Sequence, residues 1–382
     1  MNKTTKLLAT SIALASLPAT AANYAIEARG DAMGGVGVVS ANFLTAPFYN
    51  PALVAIYRRN DDLGMITPSF GGNYNDPDDM KSNIDAVLDA TTSAEITNAL
   101  NKLDGNQASV DLGGVVAFAI PNQFVAANAF AKAYTESFAS PDVYNNVGAS
   151  DQQKLELSAV EAVSIGVTEV GLSLAKYQTF LGQHLSFGVT PKLQRIYTYN
   201  YVTDINNYDL SDVRENGEGE TAFNIDAGAL WFFGPFRVGF SATNLISRDI
   251  VTKDTTRTLT SGGQSNDVGG QYSYKLEPVY TVGAGIVADY FTLSVDYDIN
   301  EAEKFTSFDD NEQMIRVGTE VDILRQLKLR GGYYKNLAYS GSEGTVTAGI
   351  GLSPLNLFQL DISANYTNEN AMGASINFLA SY

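Results

Sequence analysis

Near the end of the chain, Phe358, Leu360, Ile362, Ala364 and Tyr366 alternate with Gln359, Asp361, Ser363, Asn365 and Thr367. Strict period-two alternation puts each apolar side chain on one face of an extended strand and each polar one on the other. The pattern recurs in Phe291, Leu293, Val295, Tyr297 and Ile299, set against Thr292, Ser294, Asp296 and Asp298. It recurs in Met372, Ala374, Ile376, Phe378, Ala380 and Tyr382, and in Phe236, Val238, Phe240 and Ala242. The longer runs reach about ten residues, the length a tilted strand needs to cross a bilayer. Ordinary globular strands run to about five or six. A sheet that is apolar on one face and rich in Ser, Thr, Asn and Asp on the other fits a barrel wall with lipid outside and a polar lumen inside.

Read this way, strands fall near 62–74, 110–120, 124–138, 160–176, 183–203, 221–233, 235–247, 272–288, 290–302, 312–322, 326–337, 343–353, 357–367 and 371–381. The expected fold is all-β: a transmembrane antiparallel β-barrel of fourteen strands. Connections alternate long (75–109, 139–159, 204–220, 248–271, 303–311) and short (Pro121-Asn122-Gln123, Gly234-Pro235, the turn at Asp289). Outer-membrane barrels show an even strand count with short periplasmic turns and longer outer loops. In the loop 75–109, Asp76-Pro77-Asp78-Asp79 reads as a helix start. Ile84, Val87, Leu88, Ile96, Leu100 and Leu103 keep helical spacing, so two short helices are expected at the outer mouth. The loop 204–220 is acidic; it reads as a solvated loop, with a divalent-cation or lipopolysaccharide-bridging site as the sharper alternative.

Residues 1–22 read as a secretory signal peptide: Lys3 and Lys6, an uncharged apolar run from Leu7 to Leu17, and a small-x-small Ala19-Thr20-Ala21. The formal net charge is −18, and removal of the leader makes it more negative by two. That argues against nucleic acid as a partner, because phosphate contacts need clustered Lys and Arg. The chain has no cysteine, which excludes disulfides, thiolate metal sites and thiol chemistry. No run of 18 apolar residues follows the leader, which leaves a periplasmic protein or a barrel, and the long alternating strands favour the barrel. The expected location is the outer membrane of a Gram-negative-type bacterium.

Residues 23–60 do not read as strands. Arg29-Gly30-Asp31-Ala32-Met33-Gly34-Gly35-Val36-Gly37 is compact and glycine-rich, and Tyr49-Asn50-Pro51-Ala52-Leu53 follows. The glycines lack the spacing and the Lys of a phosphate cradle, so a small plug inside the barrel is the better account. The expected division is a leader over 1–22, a plug over 23–60 and a barrel over 61–382. Arg29, Gly34, Gly35, Gly37, Asn50, Pro51 and Ala52 are the plug residues.

These two motifs resemble the N-terminal hatch of the FadL-type outer-membrane proteins. The resemblance implies a fourteen-stranded barrel that carries long-chain fatty acids and other hydrophobic compounds. It also implies a hatch that blocks the lumen and a lateral exit through the wall. The later chain resembles the barrel-type conjugal-transfer TraF family, through Gly239-Phe240-Ser241-Ala242-Thr243-Asn244-Leu245, Leu276-Glu277-Pro278, Leu293–Glu301 and Thr347–Pro354. A terminal aromatic on an alternating strand, Tyr382 with Phe378, resembles the signal by which such barrels are recognised for assembly.

The expected partners are therefore outer-membrane lipid, the barrel-assembly machinery, and hydrophobic small molecules or conjugation proteins, with no cofactor and no metal. Transport of a hydrophobic compound is the leading function. A structural or assembly role linked to conjugal transfer is the alternative, and an apolar path beside the plug would discriminate the two. A hydrolase would need a nucleophile, a base and an orienting group. His184 is the sole histidine and falls at a predicted periplasmic turn, the wrong end for surface lipid chemistry. Asp296 and Asp298 read as wetted pore lining, and Trp231, with Tyr290 and Phe291, as part of a periplasmic aromatic girdle.

Overall fold

The computed structural model describes residues 27–57, 63–205, 217–306, 308, 310–354 and 358–381. The stretch 1–22 read as a signal peptide, most of the acidic loop 204–220 and Tyr382 lie outside the described residues.

Fourteen antiparallel strands close into a barrel. In chain order they are β1 (Gly64–Asn75), β2 (Ala108–Ile120), β3 (Ala126–Asp142), β4 (Ala159–Phe180), β5 (Gln183–Asp204), β6 (Gly217–Phe233) and β7 (Phe236–Thr243). After four short loop strands come β12 (Val279–Val287), β13 (Phe291–Asp298), β14 (Met314–Ile323), β15 (Leu327–Asn336), β16 (Gly344–Leu352), β17 (Phe358–Asn368) and β18 (Ala371–Ser381). Closure comes from pairing β1 with β18, where Gly64 faces Ser381 and Asn75 faces Ala371. The expected fold class and strand count stand.

The alternating faces separate as the pattern requires. On β13, Phe291, Leu293, Val295 and Tyr297 point outward and are exposed, while Thr292, Ser294, Asp296 and Asp298 point into the lumen and are buried. One end of the barrel carries only tight turns. Leu181 and Gly182 both have positive φ between β4 and β5, the geometry that matches the twist of a two-residue hairpin. Exposed aromatics gather near these turns: Phe124, Phe180, Trp231, Phe233, Phe236, Tyr290, Phe291 and Phe358. Trp231 donates to Gln183 Oε1 at 2.8 Å across the strand pair.

The other end carries the long loops. Between β1 and β2 lie α2 (Met80–Asp89) and α3 (Ser93–Leu103). Asp76 starts the first by accepting from Met80 N at 2.6 Å, and a Thr92–Glu95 capping box starts the second. Their apolar faces pack on each other and on Leu155 of α4 (Asp151–Leu157), itself opened by a Ser150–Gln153 capping box. A shorter helix, α1 (Ala28–Ala32), lies in the lumen.

Three expected strands are clearly shorter than the sequence suggested: those over 235–247, 272–288 and 290–302, the last ending at Asp298. β7 stops at Thr243 because Asn244 turns left-handed, with φ of 53°, and donates its N–H to Asp226 Oδ1 at 2.8 Å. β12 begins only after Pro278, which cannot donate to a ladder. Between them the chain folds two small hairpins instead. One pairs β8 (Arg248–Val251) with β11 (Ser273–Leu276), and the other pairs β9 (Arg257–Ser261) with β10 (Gln264–Val268).

Candidate functional site

Residues 27–57 fill the short-turn half of the lumen and bond to the wall on most sides. Glu27 caps α1 through Gly30 N and Arg29 N, and Tyr49 OH donates to the same carboxylate at 3.1 Å. Arg29 lies against Glu320 of β14 at 3.1 Å and donates to Ser40 O at 2.8 Å. Glu320 also takes Arg330 at 2.6 Å, and Arg330 reaches Asp361 at 2.6 Å. Ala28 N donates to Asn377, Ser375 Oγ to Asp31, and Thr347 Oγ1 to Ala32 O.

Across the lumen, Asp296 Oδ2 accepts from both Gly37 N (2.7 Å) and Val38 N (2.9 Å). Asn128 donates to Phe43 O and Leu44 O. Asn50 donates to Val38 O and Ala229 O and accepts from Ala52 N. Ser186 Oγ closes the ring on Ala52 O at 2.7 Å.

Wall glycines make room for this segment in cross-strand pairs. Gly188 faces Gly228, Gly239 faces Gly283, and Gly318 faces Gly332. A Cβ at Gly188 or Gly228 would overlap Pro51 or Asn50. One at Gly239 or Gly283 would meet Val38, and one at Gly318 or Gly332 would meet the backbone around Met33 and Gly34. Gly34 is left-handed, with φ of +71°, and its Cβ would fall on the backbone of Val317 and Tyr333; only glycine fits there.

Outward from this segment, the lumen beside β3–β6 is layered. First comes a charged belt: Lys132–Glu169 (3.8 Å), Glu169–Lys192 (3.6 Å) and Lys192–Asp226 (2.9 Å), all buried. Two residues further along β3 and β4, and four along β5 and β6 beyond the buried Gln194 and Asn224, the lining turns apolar, with Tyr134, Val167, Ile196 and Ala222 joined by Val163, Ile165, Ile250, Tyr274 and Leu276. Phe305, from the loop 299–313 between β13 and β14, fills the centre of this pocket.

That loop is tethered by charge. Lys304 Nζ sits 3.1 Å from Glu136 and 2.8 Å from Glu312, and Asp310 Oδ2 accepts from Phe305 N at 2.9 Å. One lysine thus faces four carboxyls, those of Glu136, Asp310, Glu312 and Asp111 of β2. Burial pushes the carboxyls of Asp310 and of Glu312 up to about 7, although Lys304 nearby pulls each down.

A second apolar cluster lies beside the plug: Phe43, Leu44, Ile66, Ala117, Ala119, Phe130 and Leu379. It backs onto the one irregularity of β1. Ile66 faces Leu379 and Phe70 faces Ile376, while on the other side Ile66 faces Ala117 and Ser69 faces Val115. β1 therefore carries one extra residue against both neighbours, at Thr67-Pro68, a bulge whose proline offers no donor.

The seven residues read as the plug are placed by the structure in this lumenal segment. Arg29, Gly37 and Asn50 bond to the wall or to the segment itself, Gly34 and Pro51 lie against wall glycines, Ala52 O accepts from Ser186, and Gly35 N donates to Gly30 O at 2.8 Å. Sequence reasoning missed the wall side of these contacts. Lone charges on lumenal faces, such as Glu320, Arg330 and Asp361, were the available signal. Asp296 and Asp298 are a correction. They are only 2% and 3% exposed, one holding the plug backbone and the other paired with Arg316 at 2.9 Å. Buried strand carboxylates need such partners, so a wetted pore lining was the wrong reading.

His184 lies at the short-turn end in a triad of rings with Tyr177 and Phe232, each pair of centroids 5.5–6.0 Å apart, and is bonded to the Tyr177 hydroxyl. Phe378 is outward-facing and stacks on Phe358 at 5.5 Å. Among the described residues, no group of His, Cys, Asp and Glu has the geometry to hold a metal.

Known structures share this fold. The chain resembles the Ralstonia pickettii toluene transporter TbuX with a TM-score of 0.55 at 12% identity, over 94% of this chain and 98% of that one. It resembles the Pseudomonas putida toluene transporter TodX with a TM-score of 0.52 at 12% identity, over 96% and 98%. A deltaS2 mutant of the TodX monoaromatic hydrocarbon channel gives 0.57 at 11%, over 94% and 100%. At such identities the likeness is one of fold alone. No curated protein matches the chain. The family described as "F plasmid transfer operon, TraF, protein" matches residues 47–298, more than half of the sequence, and the chain belongs to that family.

Proposed function

We propose that this protein is an outer-membrane channel for hydrophobic compounds, seen in a closed state, with residues 23–60 as its plug and the long loops facing outward. One observation carries the reading. Besides the apolar cluster that packs residues 38–54 on Ala126, Ala175 and Leu230, a lumen otherwise rich in buried polar and charged groups has apolar side chains in the pocket around Phe305 at the long-loop end and in the cluster backing the Thr67-Pro68 bulge. An apolar solute needs apolar walls, and a bulge backed by apolar side chains offers a way sideways into lipid. Barrels of this fold that are described as toluene transporters support the assignment. Beside β3–β6 the charged belt interrupts the apolar route, so passage requires belt and plug to rearrange. Lipid and the barrel-assembly machinery are the partners this location implies, and no catalytic step is assigned.

The test is uptake of labelled toluene and a labelled long-chain fatty acid by cells with and without the protein, alongside an Asn50→Ala, Pro51→Ala form. The expected result is protein-dependent uptake of at least one compound, altered by the plug variant. Equal uptake in all three, with the barrel shown folded in the membrane, would favour the second reading. That reading, a structural component of conjugal transfer, is favoured by the family description and predicts instead that deletion lowers transfer frequency between cells.

A further inference from the structure

Arg237 is the second residue of β7, just past the Gly234-Pro235 turn. Its strand neighbours Phe236 and Val238 face outward and are exposed, so the arginine points into the lumen at the short-turn end, where it is half-buried. Arg316 lies on Asp298, Arg330 on Glu320 and Asp361, and Arg29 on Glu320. Arg237 lies on no carboxylate. Its guanidinium makes one bond, from Nη1 to Val39 O at 3.1 Å, and the charged group that acts on it is Arg29, of like sign. A cation held inside a membrane-spanning wall without a counter-ion is costly and marks a place where function needs it.

Two hydroxyls beside it also lack partners. Across the inner wall Arg237 faces Gly285, and Gly285 faces Ser294 of β13. Two strand spacings are about 10 Å, and the arginine side chain covers most of that span. It leans that way, because the carbonyl it holds belongs to Val39, whose Cγ2 lies over Gly285, 3.3 Å from where a Cβ would stand. Ser294 is buried, and its Oγ bonds nothing. Ser40, the residue after that carbonyl, is buried too; its own carbonyl takes Arg29, but its Oγ bonds nothing. The carboxylates of this region are already engaged: Glu320 by Arg29 and Arg330, and Asp296 Oδ2 by Gly37 N and Val38 N. Gly285, like Arg237, is partly exposed, which leaves the place open to the short-turn mouth.

The chemistry of this set is that of a receptor for an oxyanion. A guanidinium presents a planar fork of donors to two oxygens and is always charged. The serine hydroxyls can donate to a further oxygen, which a phosphoryl group has and a carboxylate lacks. We propose that Arg237, Ser40 and Ser294 form a binding site for a phosphoryl group that enters from the short-turn end. The bound group ties two strands of the wall, through Arg237 and Ser294, to Ser40 of the lumenal segment. Binding is independent of the channel reading; an effect on opening rests on it.

The test uses the full chain in maltoside micelles, with inorganic phosphate as probe and phosphorus NMR as the readout. The expected result is saturable binding, displaced by sulfate and displaced by acetate only at several-fold higher concentration. Arg237→Gln should abolish it. Because that change also removes the bond to Val39, Ser294→Ala is the cleaner variant. Its hydroxyl bonds nothing in the structure, so the heat-modifiable gel shift of a folded barrel should persist while phosphate affinity falls several-fold. In planar bilayers, phosphate should make open bursts several-fold rarer in the parent protein and have much less effect on Ser294→Ala.

Phosphate affinity that is equal in micelles and in phosphatidylglycerol nanodiscs identifies a soluble phosphate compound as the ligand. Affinity that drops several-fold in the nanodiscs identifies lipid headgroups as competitors for the same site. No saturable binding, binding indifferent to both variants, or acetate as effective as sulfate would overturn the proposal. Micelles need no transport, so a protein that binds phosphate but supports no uptake of a hydrophobic compound keeps the site and loses the channel reading. Uptake without phosphate binding does the reverse.

Discussion

At the scale of single residues, Asn50 joins three parts of the molecule: the Val38 and Ala52 turns of the plug and the Ala229 carbonyl of β6. Asn50→Ala leaves buried backbone groups without partners, at a cost of about 1–3 kcal/mol. That cost falls on the plug and not on the barrel ladder, so it should appear as more frequent open bursts in planar-bilayer conductance, with the folded barrel retained. Gly228→Ala should do the same by pushing on the Asn50 carboxamide, whereas Gly331→Ala, whose methyl meets nothing nearer than 3.8 Å, should be silent. Asp310 and Glu312 give a pH dependence. Both are raised to about 7 in the closed loop, so the closed form holds more protons than an open, hydrated one. Its extra stability is fully present below the ordinary carboxylate range near 4 and is lost as pH rises through about 7. Lys304, Glu136, Asp111, Arg316 and Tyr334 are titratable or charged groups facing the pair. A nitroxide label on Thr306→Cys should therefore be more mobile at pH 8 than at pH 5; the opposite order would mean that the lysine tether, and not the surplus of carboxyls, governs the loop.

At the scale of elements, strands were the most legible feature, because a barrel strand writes its two environments into alternate residues. Each of the fourteen expected strands overlaps an observed one, and the helix pair between β1 and β2 was visible in its spacing and in Asp76. The β8–β11 hairpins were not, because Arg248–Val251 and Gln264–Val268 are four- and five-residue pieces, too short for alternation to stand out. The β1 bulge was hidden for a related reason. Its extra residue switches the phase of alternation, so Ile66 and Ser69 both face inward, and a period-two reading simply loses the thread there. Deleting Pro68 should restore an unbroken ladder with Ile66 and Ser69 inward and Phe70 outward. If the bulge is the lateral exit, uptake of labelled toluene should fall several-fold while the heat-modifiable gel shift of a folded barrel persists. Undiminished uptake would place the exit elsewhere.

At the scale of the whole molecule, the barrel is turned inside out relative to a water-soluble protein: apolar residues are exposed and charged ones buried. Ile350, outward on β16 at 42% exposure, should tolerate Arg poorly, with a loss of about 2–4 kcal/mol near mid-bilayer, measured by denaturant titration in lipid vesicles. That residues 27–57 are not barrel strands was legible in their compact, glycine-rich sequence, but their docking was not. Each contact joins residues far apart in sequence, and nothing local records which wall residue meets which plug residue. That separation bears on how the molecule is made. Ala28 bonds to Asn377, 349 positions away, and Asp31 to Ser375, 344 away, both on β18, the strand that closes the cylinder against β1. Such distant pairings form late and slowly. The earliest segment synthesised thus cannot complete its contacts until the fourteenth strand is in place, so seating the plug and sealing the seam become one event, and an unsealed intermediate is left without its stopper.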